Sequence, residues 1–279
     1  MTVNCKGNLV DLSTPRVMGI INITPDSFYD GGKYKDETQI IAQVETMLTN
    51  GASFIDVGAY SSRPGADHVS ENEELDRIIP VVKVLLKTFP DILISIDTFR
   101  SKVANECLAH GAAMINDISA GSLDPKMFEI VGKHQAPYIM MHMKGTPATM
   151  QGMTNYKDLL KEMLYYFSEK VALARTCGIN DIILDPGFGF AKTLGQNYEI
   201  LKKFELLHLM DLPVLTGISR KSMIYKLLET TPEKALNGST ALHMYALTQG
   251  TQILRVHDVR EAMECVLIFN TINGSGNHM

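Results

Sequence analysis

The chain has 279 residues, 45% of them hydrophobic and 20% charged, with a formal net charge of −5. That balance excludes a domain-wide basic field, and with it nucleic acid as the main partner, so any anion must be held by a local cluster of cations. No run approaches the roughly 18 apolar residues that span a membrane, and Met1–Leu12 lacks the apolar stretch of a secretory signal.

Short β-branched runs alternate with longer amphipathic segments from one end to the other. Residues 1–14 read as an N-terminal extension. The first strand is Arg16–Asn22, followed by Phe54–Val57, Leu93–Asp97, Met114–Asp117, Tyr138–His142, Ile182–Asp185, Val214–Thr216 and Ile253–Val256. Stretches such as ILISID and IILD are apolar without alternation, the pattern of strands buried on both faces of a parallel sheet. Helical patterns lie between them, among them Glu71–Lys87, Tyr156–Cys177 and Pro232–Gln249, with start signals at Ser70 and at Thr231-Pro232. Eight β/α units over residues 15–272 predict one α/β domain, a closed (β/α)8 TIM barrel. A doubly wound sheet would carry a Gly-rich dinucleotide loop after its first strand, and Ile20–Phe28 has none. The polar, Gly-bearing residues 273–279 read as a disordered tail. Cys5, Cys107, Cys177 and Cys265 lie far apart with no CxxC pair, which predicts free thiols in a reducing cytoplasm.

In such a barrel the chemistry sits where strand carboxyl ends feed their loops. A lone Asp there is more often a helix cap or turn former than a catalyst, and Asp117, Asp211 and Asp258 are read that way. Polar groups at all eight ends are a different matter. Asp97, Asn116, Asp185 and Lys221 mix acceptors and donors, which suits a flat heterocycle with several N–H groups. Arg63, Arg255 and His257 form a second, cationic group suited to phosphate. For Arg255 the bland alternative is an ion pair on the barrel floor. Asn22 and neighbouring loop oxygens suit Mg²⁺, a hard ion that takes few protein ligands beside substrate phosphates. The Gly- and Pro-rich loops around Asp30–Gly32 and Arg63–Ala66 read as lids. Phe28 and Phe190 either form an aromatic slot or pack in the core.

The stretches MGIINITPDSF (Met18–Phe28), SSRPG (Ser61–Gly65), SIDT (Ser95–Thr98), NDI (Asn116–Ile118), DPGFGF (Asp185–Phe190), GISRKS (Gly217–Ser222) and RVHD (Arg255–Asp258) occur in order, each at a predicted strand end. With them the chain resembles the dihydropteroate synthase family from Val17 to about Phe269. That resemblance implies a transferase of folate synthesis, which displaces pyrophosphate from 6-hydroxymethyl-7,8-dihydropterin pyrophosphate with the amine of p-aminobenzoate. It implies a pterin pocket of Asp97, Asn116, Ile118, Asp185 and Lys221 with Met140 packed on the ring, and catalytic roles for Asp97, Asp185 and Lys221. It places pyrophosphate and Mg²⁺ at Asn22, Arg63, Arg255 and His257, with Asn22 as the metal ligand. It places p-aminobenzoate at Phe28, Ser62, Arg63, Pro64, Phe190, Lys221 and Ser222. A homodimer and binding of sulfonamide inhibitors are implied as well.

One departure bears on the last site. Many relatives read Glu-Ser-Thr where this chain has Tyr60, Ser61 and Ser62, so a hydroxyl survives at Ser62 but a methyl is lost. Two competing readings remain: a methyltetrahydrofolate-dependent corrinoid methyltransferase and a pterin-binding barrel without catalysis. The first needs no pyrophosphate grip and the second predicts loss of rim cations. The SRK and RVH runs count against both.

Overall fold

The computed structural model describes residues 1–23, 33–60, 69–147 and 149–274. The first elements are β1 (Thr2–Cys5) and β2 (Asn8–Asp11), an antiparallel hairpin in which Cys5 pairs with Asn8. Its two turn residues, Lys6 and Gly7, have φ of 56° and 84°. Positive φ at both central positions is what a type I′ hairpin turn requires.

The eight strands that follow are parallel neighbours in one sheet: β3 (Arg16–Asn22), β4 (Phe54–Gly58), β5 (Ile94–Asp97), β6 (Met114–Asp117), β7 (Tyr138–Met141), β8 (Ile182–Asp185), β9 (Leu215–Thr216) and β10 (Ile253–Val256). The sheet order runs from β8 back to β3 and on through β10 to β9. A parallel bridge between Leu184 and Val214, with the Leu184 N–H donating to Pro213 O at 2.8 Å, joins the two outer strands into a ring. Helices α1 (Lys33–Thr49), α2 (Glu71–Thr88), α3 (Ser101–Ala109), α4 (Met127–His134), α5 (Leu159–Thr176), α6 (Leu194–Lys202), α7 (Ser222–Tyr225), α8 (Leu236–Thr248) and α9 (Val259–Ile272) connect them. The expected (β/α)8 barrel is the observed fold.

Because side chains alternate across a strand, each barrel strand supplies two populations. One set, including Val17, Ile21, Ile55, Val57, Ile115, Tyr138, Met140, Leu184 and Leu254, packs against the helices. The other points inward. Its lowest layer is Met18, Phe54, Met114, Ile139, Ile183, Leu215 and Ile253, which meets Val3, Cys5 and Leu12 of the N-terminal segment. Residues 2–12 are therefore the stopper of the barrel's lower end. Two residues further along, the same inward parity delivers Asp56, Asn116, Asp185 and Arg255 to the upper half.

Two predicted helices begin later than their patterns suggest. At the start of α5, Asp158 caps the Lys161 N–H at 3.1 Å, while Tyr156 stays outside the helix with its hydroxyl on Ala191 O at 2.9 Å. The segment expected as Pro232–Gln249 divides into a 3-10 turn at Pro232–Lys234 and α8. Arg220 Nη1 donates to the carbonyls of Pro232 and Glu233 at 3.1 and 2.9 Å, so these oxygens serve the guanidinium rather than a continuous helix. The start signal at Ser70 holds, with its hydroxyl accepting from the Glu73 N–H at 3.3 Å.

Leu12 is 2% exposed in the lower core. Leu12→Ala is expected to lower unfolding free energy by about 2–4 kcal/mol and to leave unchanged the KM values of the two substrates that the resemblance implies. Urea denaturation alongside steady-state kinetics would check both halves.

Candidate active site

The loop after β8 is built around a sharp turn. The Gly187 N–H donates to Asp185 Oδ1 at 2.7 Å, and a Cβ at Gly187, whose φ is +68°, would lie 2.3 Å from His142 O. Only glycine fits there. The buried Lys192 closes the loop, its Nζ donating to the carbonyls of Gly187 and Phe190 at 3.0 Å and of His142 at 3.2 Å. Burial brings its pKa down to about 7, opposed by the attraction of Asp185. Thr193 and Gln196 then form a capping box that starts α6.

This rigid loop receives Lys221, the N-cap residue of α7. Its Nζ donates to Phe188 O at 2.7 Å and stands 4.9 Å from the centre of the Phe190 ring. Gly217 leaves room between the charges: a Cβ there would lie 3.8 Å from Lys221 Nζ and 3.9 Å from Asp185 Oδ2. Burial raises the pKa of Asp185 and lowers that of Lys221 to about 8, each countered by the charge of the other. An acceptor and a donor thus converge on one gap at the barrel mouth.

Across the barrel, Arg255 is held by two carboxylates. Its Nε donates to Asp56 Oδ2 at 2.5 Å and its Nη2 to Asp97 Oδ2 at 2.7 Å. Asn116 Nδ2 joins at 3.0 Å from the same Asp56 oxygen. Burial pushes the Asp97 carboxyl up to about 7; Arg255 pulls it down, and the neighbouring Asp56 pushes it up again. Arg255 is therefore the centre of an ion network. The ion pair weighed as its bland alternative exists, and it lies inside the site.

The loops after β9 and β10 are tied together. His257 N–H donates to Ser219 Oγ at 3.2 Å, and the ring Nδ1 approaches the same hydroxyl at 3.2 Å. Arg220, in left-handed backbone at φ 55°, forms a two-pronged ion pair with Asp258 through Nε and Nη2, both at 2.8 Å. Asp258, expected as a cap for α9, makes no side-chain cap bond and clamps Arg220 instead. Asp117 behaves as the turn former expected, accepting from Ser119 N at 2.7 Å and Gly121 N at 2.8 Å, and additionally from the Tyr138 hydroxyl at 2.6 Å.

The structure brings Asp97, Asn116, Asp185, Lys221, Arg255 and His257 to one end of the barrel. Asn22 is exposed at the mouth end of β3, Phe190 lies against Lys221, and Ser222 is half-buried in the first turn of α7. Ile118 packs with Met141, Met143, Met150 and Ala191 in a small apolar cluster at this end. Met140 is a correction. It shares the outward parity of Tyr138 and is fully buried toward the helices, so Met141 is the methionine of β7 that faces inward. Phe28, Ser62, Arg63 and Pro64 lie outside the described residues. Tyr60 stands edge-on to Phe99 with ring centres 5.1 Å apart, and Arg100 lies 5.2 Å from its ring centre. Arg100 is fixed in turn by the buried Glu74 at 2.5 Å, which also accepts from Thr98 Oγ1 at 2.7 Å.

Residues 18–257 match the family described as "Pterin binding enzyme". The chain is 43% identical to dihydropteroate synthase of Escherichia coli over 270 residues, covering 96% of this chain and 95% of that one. The chain belongs to the dihydropteroate synthase family. Among solved structures, the Yersinia pestis dihydropteroate synthase in a sulfonamide drug complex superposes with a TM-score of 0.91 at 42% identity, covering 98% of this chain and 100% of that one. The Xanthomonas albilineans dihydropteroate synthase with 4-aminobenzoic acid gives 0.89 at 35% identity, covering 98% of each chain.

One residue and two contacts escape the sequence reading: Asp56, the bond between Ser219 and His257, and the Arg220–Asp258 pair. Asp56 has a visible signal, a charge at inward parity within the apolar strand FIDVG. The two contacts have none, since their partners come from different loops.

Arg220 and Asp258 join the loop bearing Lys221 to the loop bearing His257. Arg220→Gln and Asp258→Asn are each expected to lower kcat/KM on the order of tenfold, with the double variant no worse than the weaker single. Additive losses in the double-mutant cycle would show that the two loops act independently.

Proposed function

We infer that the chain condenses 6-hydroxymethyl-7,8-dihydropterin pyrophosphate with p-aminobenzoate, giving 7,8-dihydropteroate and pyrophosphate. The observation that carries this reading is the convergence of Asp97, Asn116, Asp185 and Lys221 at the mouth of a barrel that belongs to the dihydropteroate synthase family. Asp185 suits the guanidine-like edge of the pterin, since a carboxylate accepts two parallel N–H bonds. Asn116 and Lys221 supply donors to ring nitrogen and oxygen, Asp97 accepts from a ring N–H, and Ile118 and Met141 give the ring an apolar bed.

In the reaction the amine nitrogen of p-aminobenzoate forms a bond to the pterin methylene carbon. The carbon–oxygen bond to pyrophosphate breaks, the leaving oxygen keeps the electron pair, and the amine proton passes to solvent. An aryl amine is already neutral near pH 7, so the nucleophile needs little base catalysis, and the main demand is to stabilise the leaving group. His257 and Arg255 stand on the side of the mouth suited to it, with Ser219 orienting His257. The carboxylates of Asp97 and Asp185 at the mouth favour positive charge developing on the pterin methylene. Phe190 beside Lys221 and Ser222 on α7 suit the p-aminobenzoate ring and carboxylate at the outer rim.

No group of three or more acidic, His or Cys side chains suited to a metal occurs among the described residues. Asn22 offers one amide oxygen, a donor set that fits Mg²⁺ held chiefly by the substrate's own phosphates. The ion would neutralise charge growing on pyrophosphate.

Two further properties belong to this reading. The chain is a homodimer through its late helices: Tyr245 on α8 and Leu267, Ile268 and Ile272 on α9 are exposed, as are Leu227 and Leu228 after α7. An apolar face of this kind is normally covered. It works in the cytoplasm, where its four unpaired cysteines, three of them buried, remain reduced. No helix among the described residues is long and apolar enough to cross a membrane. Sulfonamides occupy the p-aminobenzoate position.

Purified protein should release pyrophosphate only when both substrates are present; release with one alone would overturn the assignment. Lys221→Ala and Asp185→Ala are expected to abolish turnover, and excess EDTA to stop it until Mg²⁺ is restored. Near-normal rates in any of these would remove that group from the mechanism.

The pH dependence follows from two of the shifted groups. Asp97 acts as an anion with its pKa raised to about 7, so activity is present above that value and falls below it. Lys221 acts as a cation with its pKa lowered to about 8, so activity falls as pH rises through it. A bell-shaped kcat/KM profile with its maximum between these values is expected, and Lys221→Arg should move the alkaline limb beyond pH 10 if the variant turns over. A flat profile from pH 6 to 9 would contradict both roles.

A further inference from the structure

Asp56 is fully buried inside the barrel, two positions below the mouth on β4. A carboxylate at such a depth is costly unless every lone pair is used. Its Oδ2 accepts from Arg255 at 2.5 Å and from Asn116 at 3.0 Å, whereas its Oδ1 has no partner among the described residues. Ser95 Oγ, whose residue is Asp56's register neighbour on β5, is likewise without a partner there. A residue kept only for packing would not be a half-satisfied charge. The position is explained by what its other oxygen holds.

Arg255 meets its two carboxylates on different edges of the guanidinium, Nε to Asp56 and Nη2 to Asp97. The carboxylates differ in access: the Asp56 side chain is 0% exposed and that of Asp97 is 23% exposed. A ligand entering from the mouth can therefore reach Asp97 and cannot reach Asp56. On the reading given above, a ring N–H of the pterin competes with Arg255 Nη2 for Asp97. If Asp97 were the sole counter-ion of Arg255, that competition would leave a buried guanidinium unpaired.

We propose that Asp56 is a positioning residue of the reaction: it anchors Arg255 and Asn116 from below, so that Asp97 can exchange its bond to Arg255 for one to the pterin ring. This rests on the functional reading above, and it adds to that reading a residue that touches neither substrate. Asp56 acts through two groups that do.

The test is binding of 6-hydroxymethyl-7,8-dihydropterin by calorimetry across pH 5 to 8, in wild type, Asp56→Asn, Arg255→Gln and the double variant. In Asp56→Asn the single remaining carboxylate holds Arg255, and Kd should rise on the order of tenfold at pH 7.5. The acidic limb of binding should also move down by about one pH unit, because a like charge beside Asp97 has gone and its cation is no longer shared. In the Arg255→Gln background, Asp56→Asn should raise Kd no more than about twofold, because an asparagine oxygen still accepts from the Asn116 amide; the acidic limb moves down there as well, since the like charge beside Asp97 is lost in either background. An unchanged Kd and limb in Asp56→Asn would overturn the proposal. So would an equal loss of affinity in both backgrounds, which would mean that Asp56 acts on the fold or on the ligand directly. Should Asp56→Asn alone not fold, Arg255→Gln against the double variant decides the question, since in that pair the anchored cation is absent from both. Pyrophosphate release by the wild type is a separate readout. Binding that follows these outcomes in a protein with no turnover would keep the assignment of Asp56 and sink the condensation.

Discussion

The arrangement at the barrel mouth depends on one guanidinium. Arg255 on β10 reaches across the interior to Asp56 on β4 and Asp97 on β5, residues 199 and 158 positions away in the chain. Buried charges are tolerated only in company, and removing one partner leaves the rest uncompensated. Each member of this network therefore fixes the others. Asn116 is oriented because Asp56 accepts its amide, and Asp97 titrates near neutrality because burial raises its carboxyl pKa while Arg255 lowers it and Asp56 adds to the rise. The polarity of the upper barrel is thus a collective property of several strands.

Around this centre the loops are held by polar clamps, since irregular backbone that leaves water must find partners for its carbonyls and amides. Lys192 collects three carbonyls beneath the β8 loop and so presents Phe188 O to Lys221. Arg220 collects two carbonyls and Asp258, which joins the β9 and β10 loops. Glu74 gathers Thr98 and Arg100 at the end of β5 and brings Arg100 against Tyr60. In each case a charged side chain from one loop shapes the backbone or aromatic wall of the next. Functional groups at the mouth are thereby placed on loops that behave as extensions of the strands.

Much of this is legible in the sequence. Parallel strands buried on both faces produce apolar runs that stand out from amphipathic helices, so strand positions are readable to within a residue or two. The polar residues at their ends, Asp97, Asn116, Asp185, Lys221 and His257, emerge from asking what each strand delivers. Sequence patterns fail where the answer depends on parity or on partners. Met140 and Met141 are indistinguishable by type, and only the two-residue alternation shows which one faces inward. Asp56 escapes a search confined to strand ends, although a charge within an apolar strand at inward parity marks a site from below. The Arg220–Asp258 clamp and the division of the segment before α8 follow from contacts between loops, which no local pattern encodes. The hairpin at residues 2–11 is too short for periodicity to register, and Lys6-Gly7 is an unusual pair for its turn.

That hairpin has a consequence for traffic. With Val3, Cys5 and Leu12 filling the lower end, the described residues leave no passage through the barrel's floor, so a guest seated against Asp185 must leave by the mouth. If the pterin sits against Asp185 and p-aminobenzoate at the outer rim, as proposed above, the two guests queue in a fixed sequence. An early p-aminobenzoate would stand in the corridor and bar the pterin from its seat.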